Sequence, residues 1–302
     1  MKDPYLLHIF NPTKNVSPFD VNMAYEAEFD GVIPYSNVTL EEVHSLTQDT
    51  IFSRGPKGVK RTGIFIGGRD FGLAMDMLKR AKTAMVPPFE VSVFADPSGA
   101  VTTAAALVAC VEYWVARITG TSLENRKVYI FGGTGPVGMC TAVLLASCNA
   151  NVYIASHRGE HVANEIAEEC NARFHTTVKG ASHRSEEETT GLIKDADVII
   201  GAAKAGVRLA SAKQLSRSRQ LIVAADVNAV PPAGFEGVDV DDYGKAIPTR
   251  GGTAVGVGAL AIGDVKYKVH KRVFEDMIAA DTALYYGYAE SFQVARTMVN
   301  NG

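Results

Sequence analysis

Short apolar runs alternate with helically spaced stretches from the first residues onward. "YLLHIF" (Tyr5–Phe10), "GVIPY" (Gly31–Tyr35), "TGIFIGG" (Thr62–Gly68) and "FEVSVFAD" (Phe89–Asp96) have the length and the β-branched and aromatic content of buried strands. Between them, Val21 toward Phe29, "TLEEVHSL" (Thr39–Leu46) and "FGLAMDMLKRAKTAM" (Phe71–Met85) carry helical spacing, and Thr39 with Glu42 forms the pattern of a capping box. This β-α-β-α alternation predicts a parallel sheet covered by helices. "TTAAALVACVEYWVARI" (Thr102–Ile118) reads as a long apolar helix and leads into the polar linker "TGTSLENRK".

A second series begins at Lys127 with "VYIFGG", "NVYIA", "ADVIIGAA" and "QLIVAADV", and closes on the glycine-rich "RGGTAVGVGALAIG". Lys266 to Val299 is again predominantly helical, with strand-like alternation at Lys266 and Lys268. The fold expected is α/β with two α/β domains: a smaller N-terminal parallel-sheet domain over 1–118 and a Rossmann-like dinucleotide domain over 119–265. Helices over 266–302 are expected to pack back on the first domain, and a cleft is expected between the domains.

The strongest local signal is "KVYIFGGTGPVGMCTAVLLASCNANVYIASHR" (Lys127–Arg158). Gly133, Thr134, Gly135, Pro136, Val137 and Gly138 lie between an apolar strand pattern and a helix pattern. A second strand pattern follows. In such a turn the first glycine permits the bend, the second admits a pyrophosphate and the third brings helix and strand together. The helix N-terminus offers free N–H groups to phosphate oxygens. A tight turn without a ligand would show the same glycines. An Asp or Glu at the end of the second strand would accept the ribose 2′-hydroxyl of NAD, but Ser156, His157 and Arg158 stand there instead. These groups suit a 2′-phosphate, with Arg158 able to form a two-pronged contact. They point to NADP with NAD tolerated. The alternative for Arg158 is a solvated surface arginine.

Composition narrows the function further. The chain has 302 residues, 47% of them apolar, and a net charge of −3, so no basic field favours nucleic acid as a partner. The cysteines Cys110, Cys140, Cys148 and Cys170 have no C-x-x-C spacing and read as small buried apolar residues. The sequence shows no triad order and no Cys/His cluster, so hydrolytic and metal chemistry lack support and no metal is expected. "MKDPYLLHIFNPT" is too weakly apolar for a signal peptide, and no apolar run is judged long enough to cross a bilayer, so a cytoplasmic protein is expected. In an open α/β fold the ligand lies at loops after strands. Here these include "NPTKNVSPFD", "GGRDFG", "ADPSGAVTT", "GAAKAG" (with Ala202) and "ADVNAVPPAG".

Several of these segments carry a resemblance. "SPFDVNMA", "SLTQDTIFSR", "RTGIFIGG", "PPFEVSVFADPSG", "TTAAA", "FGGTGPVGM", "AADVNAVPPAG" and "VGVGALAIGDVKYK" resemble, in the same order and over nearly the whole chain, the bacterial NAD(P)-dependent methylene-tetrahydromethanopterin dehydrogenases. The resemblance implies reversible oxidation of the methylene to the methenyl form, with hydride passing to NADP or NAD. It also implies tetrahydromethanopterin as the substrate carrier, a place in one-carbon metabolism and a homo-oligomer. A methylene-tetrahydrofolate dehydrogenase and a non-catalytic NADP-sensing protein are the rivals. A shikimate-type dehydrogenase lacks the expected Lys and Asp setting.

Lys266 matches the position of the family's active-site lysine. A cation beside a developing cation would oppose the reaction, so Lys266 is expected to anchor the pterin or to be neutral through burial. Asp20 can accept from the N–H donors of a pterin edge or serve as a helix cap. Asp96 and Thr102 frame the loop before the long helix, either as substrate contacts or as a turn and N-cap. Asn228 is a candidate for the nicotinamide carboxamide, beside a loop stiffened by Pro231 and Pro232.

Overall fold

A computed structural model describes residues 3–300. The chain divides into two compact units, one formed by the described residues through Thr102 with Tyr267–Val294, the other by Thr103–Lys266 with the described residues from Ala295 onward.

The first unit alternates β1 (Leu6–Asn11), α1 (Pro18–Glu26), β2 (Gly31–Ser36), α2 (Glu42–Phe52), the single turn α3 (Pro56–Val59), β3 (Thr62–Ile66), α4 (Phe71–Ala84) and β4 (Ser92–Ala95). Every residue of β3 and β4 is buried, as a strand covered on both faces requires. The Thr39–Glu42 pair is reciprocal: Thr39 N–H donates to Glu42 Oε2 at 2.8 Å and Glu42 N–H to Thr39 Oγ1 at 3.4 Å. Asp70 caps α4 by accepting from Leu73 N at 2.8 Å. A 3₁₀ turn, Pro97–Gly99, leads into α5 (Ala100–Thr119).

α5 corrects one expectation. With the preceding turn it is long and apolar enough to cross a membrane by length and composition, contrary to the judgement from sequence. The structure buries 72% of that window inside the protein, as in a core helix.

The second unit contains β5 (Lys127–Phe131), α6 (Pro136–Ser147), β6 (Asn151–Ser156), α7 (Glu160–Phe174), β7 (Lys179–Ser182), α8 (Glu186–Asp195), β8 (Val198–Gly201), the short α9 (Ala212–Leu215) and β9 (Val223–Asp226). The antiparallel pair β10 (Tyr243–Thr249) and β11 (Gly252–Val257) follows. The glycine-rich segment is therefore partly strand: Val255–Val257 pair in parallel with Val223–Ala225. α10 (Ala259–Ala279) begins directly after it, then β12 (Tyr285–Tyr286) and α11 (Tyr288–Asn300). The strand-like alternation at Lys266 and Lys268 is overturned, because both lie in α10, where two positions are about 200° apart around the axis.

The first sheet has the order β2-β1-β3-β4-β12, all parallel, with the chain reversing its direction of travel between β1 and β3. The second has the order β7-β6-β5-β8-β9-β11-β10, parallel except for β10, with the reversal between β5 and β8. That is the doubly wound dinucleotide order with one added antiparallel edge strand. In each sheet the reversal opens a crevice at the carboxyl ends of the strands, where ligands bind. Separate apolar cores support the two sheets, one around Phe10, Ile64 and Val93, the other around Phe131, Ile199 and Phe235.

Candidate functional site

The crevice of the second sheet holds a cavity of about 690 Å³, in the range of a small-molecule site. One wall is the turn from β5 into α6. Gly132 takes φ +76°, and a Cβ there would lie 2.4 Å from the Ala203 Cα. The left-handed residue of the turn is thus Gly132, one position before the glycine to which the spacing assigned the bend. Gly138 lies so close to Gly133 that a Cβ on Gly138 would stand 2.4 Å from the Gly133 Cα, which is how α6 sits down on β5. Gly135, the N-cap of α6, has no atom within 4 Å of its Cβ position, and no side chain caps the helix. The first-turn N–H groups of α6 lack intrahelical acceptors. Thr134 and Gly135, which lead directly into that turn, line the cavity, a fit for the pyrophosphate of a dinucleotide.

Ser156 and His157, at the end of β6, line the same cavity, as do Ala202 and Lys204 after β8. Ser156 is buried, and its Oγ accepts the Arg158 N–H at 3.1 Å. Gly133, Pro136, Val137, Gly138 and Arg158 are not among the cavity's lining residues. Instead the wall is completed from the turn after β7 by His183, Arg184, Ser185 and Glu186. Sequence reasoning missed these residues; the cue was the polar "SHRSEEE" following a short strand.

The His183 ring packs edge-on to Phe131 at 5.1 Å and lies 6.2 Å from His157. Burial, reinforced by His157 and opposed by Glu188, pushes its pKa down to about 4, so it is neutral at physiological pH.

Asp226 and Asn228 organise the loop after β9. Buried Asp226 accepts from Gly234 N at 2.7 Å, Phe235 N at 3.2 Å and Asn228 N at 3.0 Å, and its carboxyl is raised by burial against those donors. Asn228 donates to Pro232 O at 2.9 Å, and its Oδ1 accepts from Gly206 N and Val230 N. Its side chain ties the loops after β8 and β9 together and does not line the cavity.

In the first unit the crevice between β1 and β3 is built by three loops. Buried Asn11, the last residue of β1, donates to the carbonyls of Thr13 at 2.7 Å and Asn15 at 3.0 Å. Gly68 after β3, at φ +98°, passes so close to Pro12 that a Cβ would stand 2.6 Å from its ring. Ser98 after β4, itself at φ +52°, donates to the Gly68 carbonyl at 2.8 Å.

Asp96 and Thr102, read from the sequence as substrate contacts or as a turn and N-cap, are fully buried and bonded to each other. Asp96 Oδ2 accepts from Thr102 Oγ1 at 2.6 Å, and Oδ1 accepts the N–H groups of Val101 and Thr102. The geometry is that of a cap on α5. His270 of α10 places Nδ1 3.2 Å from Asp96 Oδ2 within a cage of Phe19, Phe65, Phe94 and Phe274. Asp20 occupies the first turn of α1 and is buried, while Ser17 is the N-cap residue. Lys266 is half-buried on α10.

Among the described residues, no group of three His, Cys, Asp or Glu is placed to hold a metal ion. The four cysteines are thiols outside any disulfide, and burial raises those of Cys110 and Cys170 to about 12.

Residues 18–98 match the family model described as "Methylene-tetrahydromethanopterin dehydrogenase, N-terminal". The chain is 45% identical over 290 residues to the NAD(P)-dependent methylenetetrahydromethanopterin dehydrogenase of Methylorubrum extorquens, covering 96% of this chain and 97% of that one. It is 31% identical over 293 residues to the "Bifunctional protein MdtA" of the same organism, covering 97% and 98%. Among solved structures, an NAD-dependent malic enzyme of Thermotoga maritima superposes with a TM-score of 0.56 at 14% identity, covering 99% of this chain and 84% of that one. A shikimate 5-dehydrogenase of Listeria monocytogenes does so with 0.50 at 12%, covering 98% and 96%. At these identities the two structures speak to the fold alone.

Proposed function

The chain belongs to the methylene-tetrahydromethanopterin dehydrogenase family, and from that premise we propose that it oxidises methylene-tetrahydromethanopterin reversibly to the methenyl form with NADP or NAD as hydride acceptor. The observation that carries the nucleotide half is the cavity at the β5/β8 crevice, walled by an uncapped helix N-terminus and the open Gly135 position. Near-full-length identity to the NAD(P)-dependent relative carries the pterin half.

The nicotinamide, when bound, supplies the hydride acceptor. The protein's part is positioning. The methylene carbon lies between two nitrogens whose lone pairs stabilise the cation left behind, so no strong general base is required. Thr134, Gly135 and the first turn of α6 would hold the pyrophosphate, and Ser156 and His157 would lie toward the adenosine ribose. Asn228 acts by fixing the loops after β8 and β9. On the substrate side we assign Lys266 to anchoring the pterin and Asp20 to its N–H edge, while Asp96 and Thr102 shape the loop after β4. The net charge of −3 gives no basic field for nucleic acid, and the family relationship supports reading the chain as a cytoplasmic, homo-oligomeric enzyme of one-carbon metabolism that acts on a small molecule.

The test is a steady-state assay of NAD(P)H absorbance with methylene-tetrahydromethanopterin and methylene-tetrahydrofolate, each with NADP and NAD. Turnover with the methanopterin substrate is expected. Turnover with folate alone would move the assignment to the folate class, and nucleotide binding without turnover of either would leave a sensor.

A further inference from the structure

Specificity for the phosphorylated ribose is conventionally sought just after the second strand of a dinucleotide fold, here at Ser156, His157 and Arg158. The structure distributes it differently. Arg158 lies outside the cavity lining, and its backbone N–H is engaged by Ser156 Oγ. Arg184, from the turn after β7, lines the cavity beside Ser156 and His157. β7 is the hydrogen-bonded neighbour of β6, with Ser156 opposite Ser182, so the two turns share one end of the site. The Arg184 side chain runs back over the turn after β6: its Cδ lies 3.6 Å from where a Cβ on Gly159 would stand. The backbone that carries it is clamped, because Glu188 Oε2 accepts both the Arg184 N–H and Ser182 Oγ at 2.7 Å, while Ser185 Oγ accepts the Glu188 N–H at 3.1 Å.

Two residues on, Glu186, the first residue of α8, also lines the cavity. Two other cations line it, but Arg208 is 3.3 Å from Glu236, and Lys204 follows β8, on the far side of β5 from β6.

We infer that Arg184 is the group that binds the 2′-phosphate of NADP and that Glu186 accepts the free ribose hydroxyl of NAD, so that opposite charges on one turn admit both nucleotides. A guanidinium forks onto phosphate oxygens, whereas a carboxylate favours the hydroxyl and opposes the phosphate. The inference rests on the dinucleotide reading of the cavity and not on the pterin.

The full chain and the variants Arg184→Ala, Glu186→Gln and Arg158→Ala are titrated with NADPH and NADH by ligand fluorescence, with no pterin present. Arg184→Ala is expected to weaken NADPH by about tenfold to a hundredfold, as for loss of a charge-assisted contact, and to leave NADH unchanged. NADH binding also reports that the variant is folded. Glu186→Gln is expected to weaken NADH and not NADPH, and Arg158→Ala to leave the ratio of the two affinities unchanged. Equal effects of Arg184→Ala on both nucleotides, no effect on either, or a selective NADPH loss in Arg158→Ala would overturn the Arg184 assignment. NADH affinity untouched in Glu186→Gln would overturn the Glu186 assignment. A protein that follows these expectations yet fails to turn over methylene-tetrahydromethanopterin would refute the proposed reaction and leave this inference standing.

Discussion

Gly135 and Gly138 belong to one motif, yet replacing each by alanine should fail in a different way. At Gly138 the new methyl would meet the Gly133 Cα at 2.4 Å, its carbonyl carbon at 2.7 Å and its oxygen at 2.8 Å. All three are backbone atoms, so no rotamer change relieves the clash, and α6 must retreat from β5 by about 1 Å to restore ordinary contact. Overpacking of this kind costs roughly 1–3 kcal/mol, with the upper end expected where a helix must move bodily. At about 2–4 °C per kcal/mol for a unit of this size, the melting temperature should drop by several degrees. The same displacement carries the phosphate-facing N–H groups out of place, which lowers NADPH affinity by about a hundredfold. Gly135 has φ −93° and no atom within 4 Å of its Cβ position. Gly135→Ala should therefore unfold within about 0.5 kcal/mol of the parent, while its methyl occupies space the pyrophosphate needs and NADPH affinity falls. Calorimetry and fluorescence titration of both variants separate the two effects. A Gly138→Ala protein with unaltered melting and affinity, or a Gly135→Ala protein destabilised as much as Gly138→Ala, would refute this reasoning.

Lys266→Ala should lower kcat/KM for the pterin substrate by about a hundredfold with NADPH affinity unchanged; full turnover with parental KM would remove Lys266 from the site. Asp96→Ala should lose about 3 kcal/mol in urea unfolding, because it strands the N–H groups of Val101 and Thr102, and Thr102→Val should lose less; unchanged stability would contradict the capping geometry. His183 is held neutral, with a pKa near 4 against an ordinary 6.5, so the unfolded chain binds its proton first. Its contribution to stability is intact above about pH 6.5 and is lost as pH falls toward about 4, moderated by the solvent reaching the ring. Urea unfolding at several pH values should show a shallower acid loss in His183→Asn than in the parent, and identical slopes would argue against the shift.

What could be read from the sequence was what adjacent residues determine. The strand at Lys127–Phe131, the turn and helix α6 arise from a contiguous pattern, and Thr39 and Glu42 meet because helical spacing brings them together. The glycine-rich segment was harder. Its small residues obscure the pattern of β11, and that strand becomes evident only through its pairing with β9 and β10. Asp96 and Thr102 were singled out together, but a short Asp-to-Thr spacing before a helix serves a cap and a ligand contact equally well. Burial of both side chains and the Asp96–Thr102 hydrogen bond identify the cap.

Arg184 shows where local reading stops. It stands 26 positions beyond Arg158 in the chain, and only the order β5-β6-β7, with Ser156 opposite Ser182, makes the two turns neighbours. Local spacing supplies the glycine turn and Arg158 but no nearby acid. Sheet topology brings in a second arginine and an acid from the next crossover. The absence of an acid after β6 therefore does not by itself exclude NAD, since an acidic residue, Glu186, lines the cavity from the next crossover.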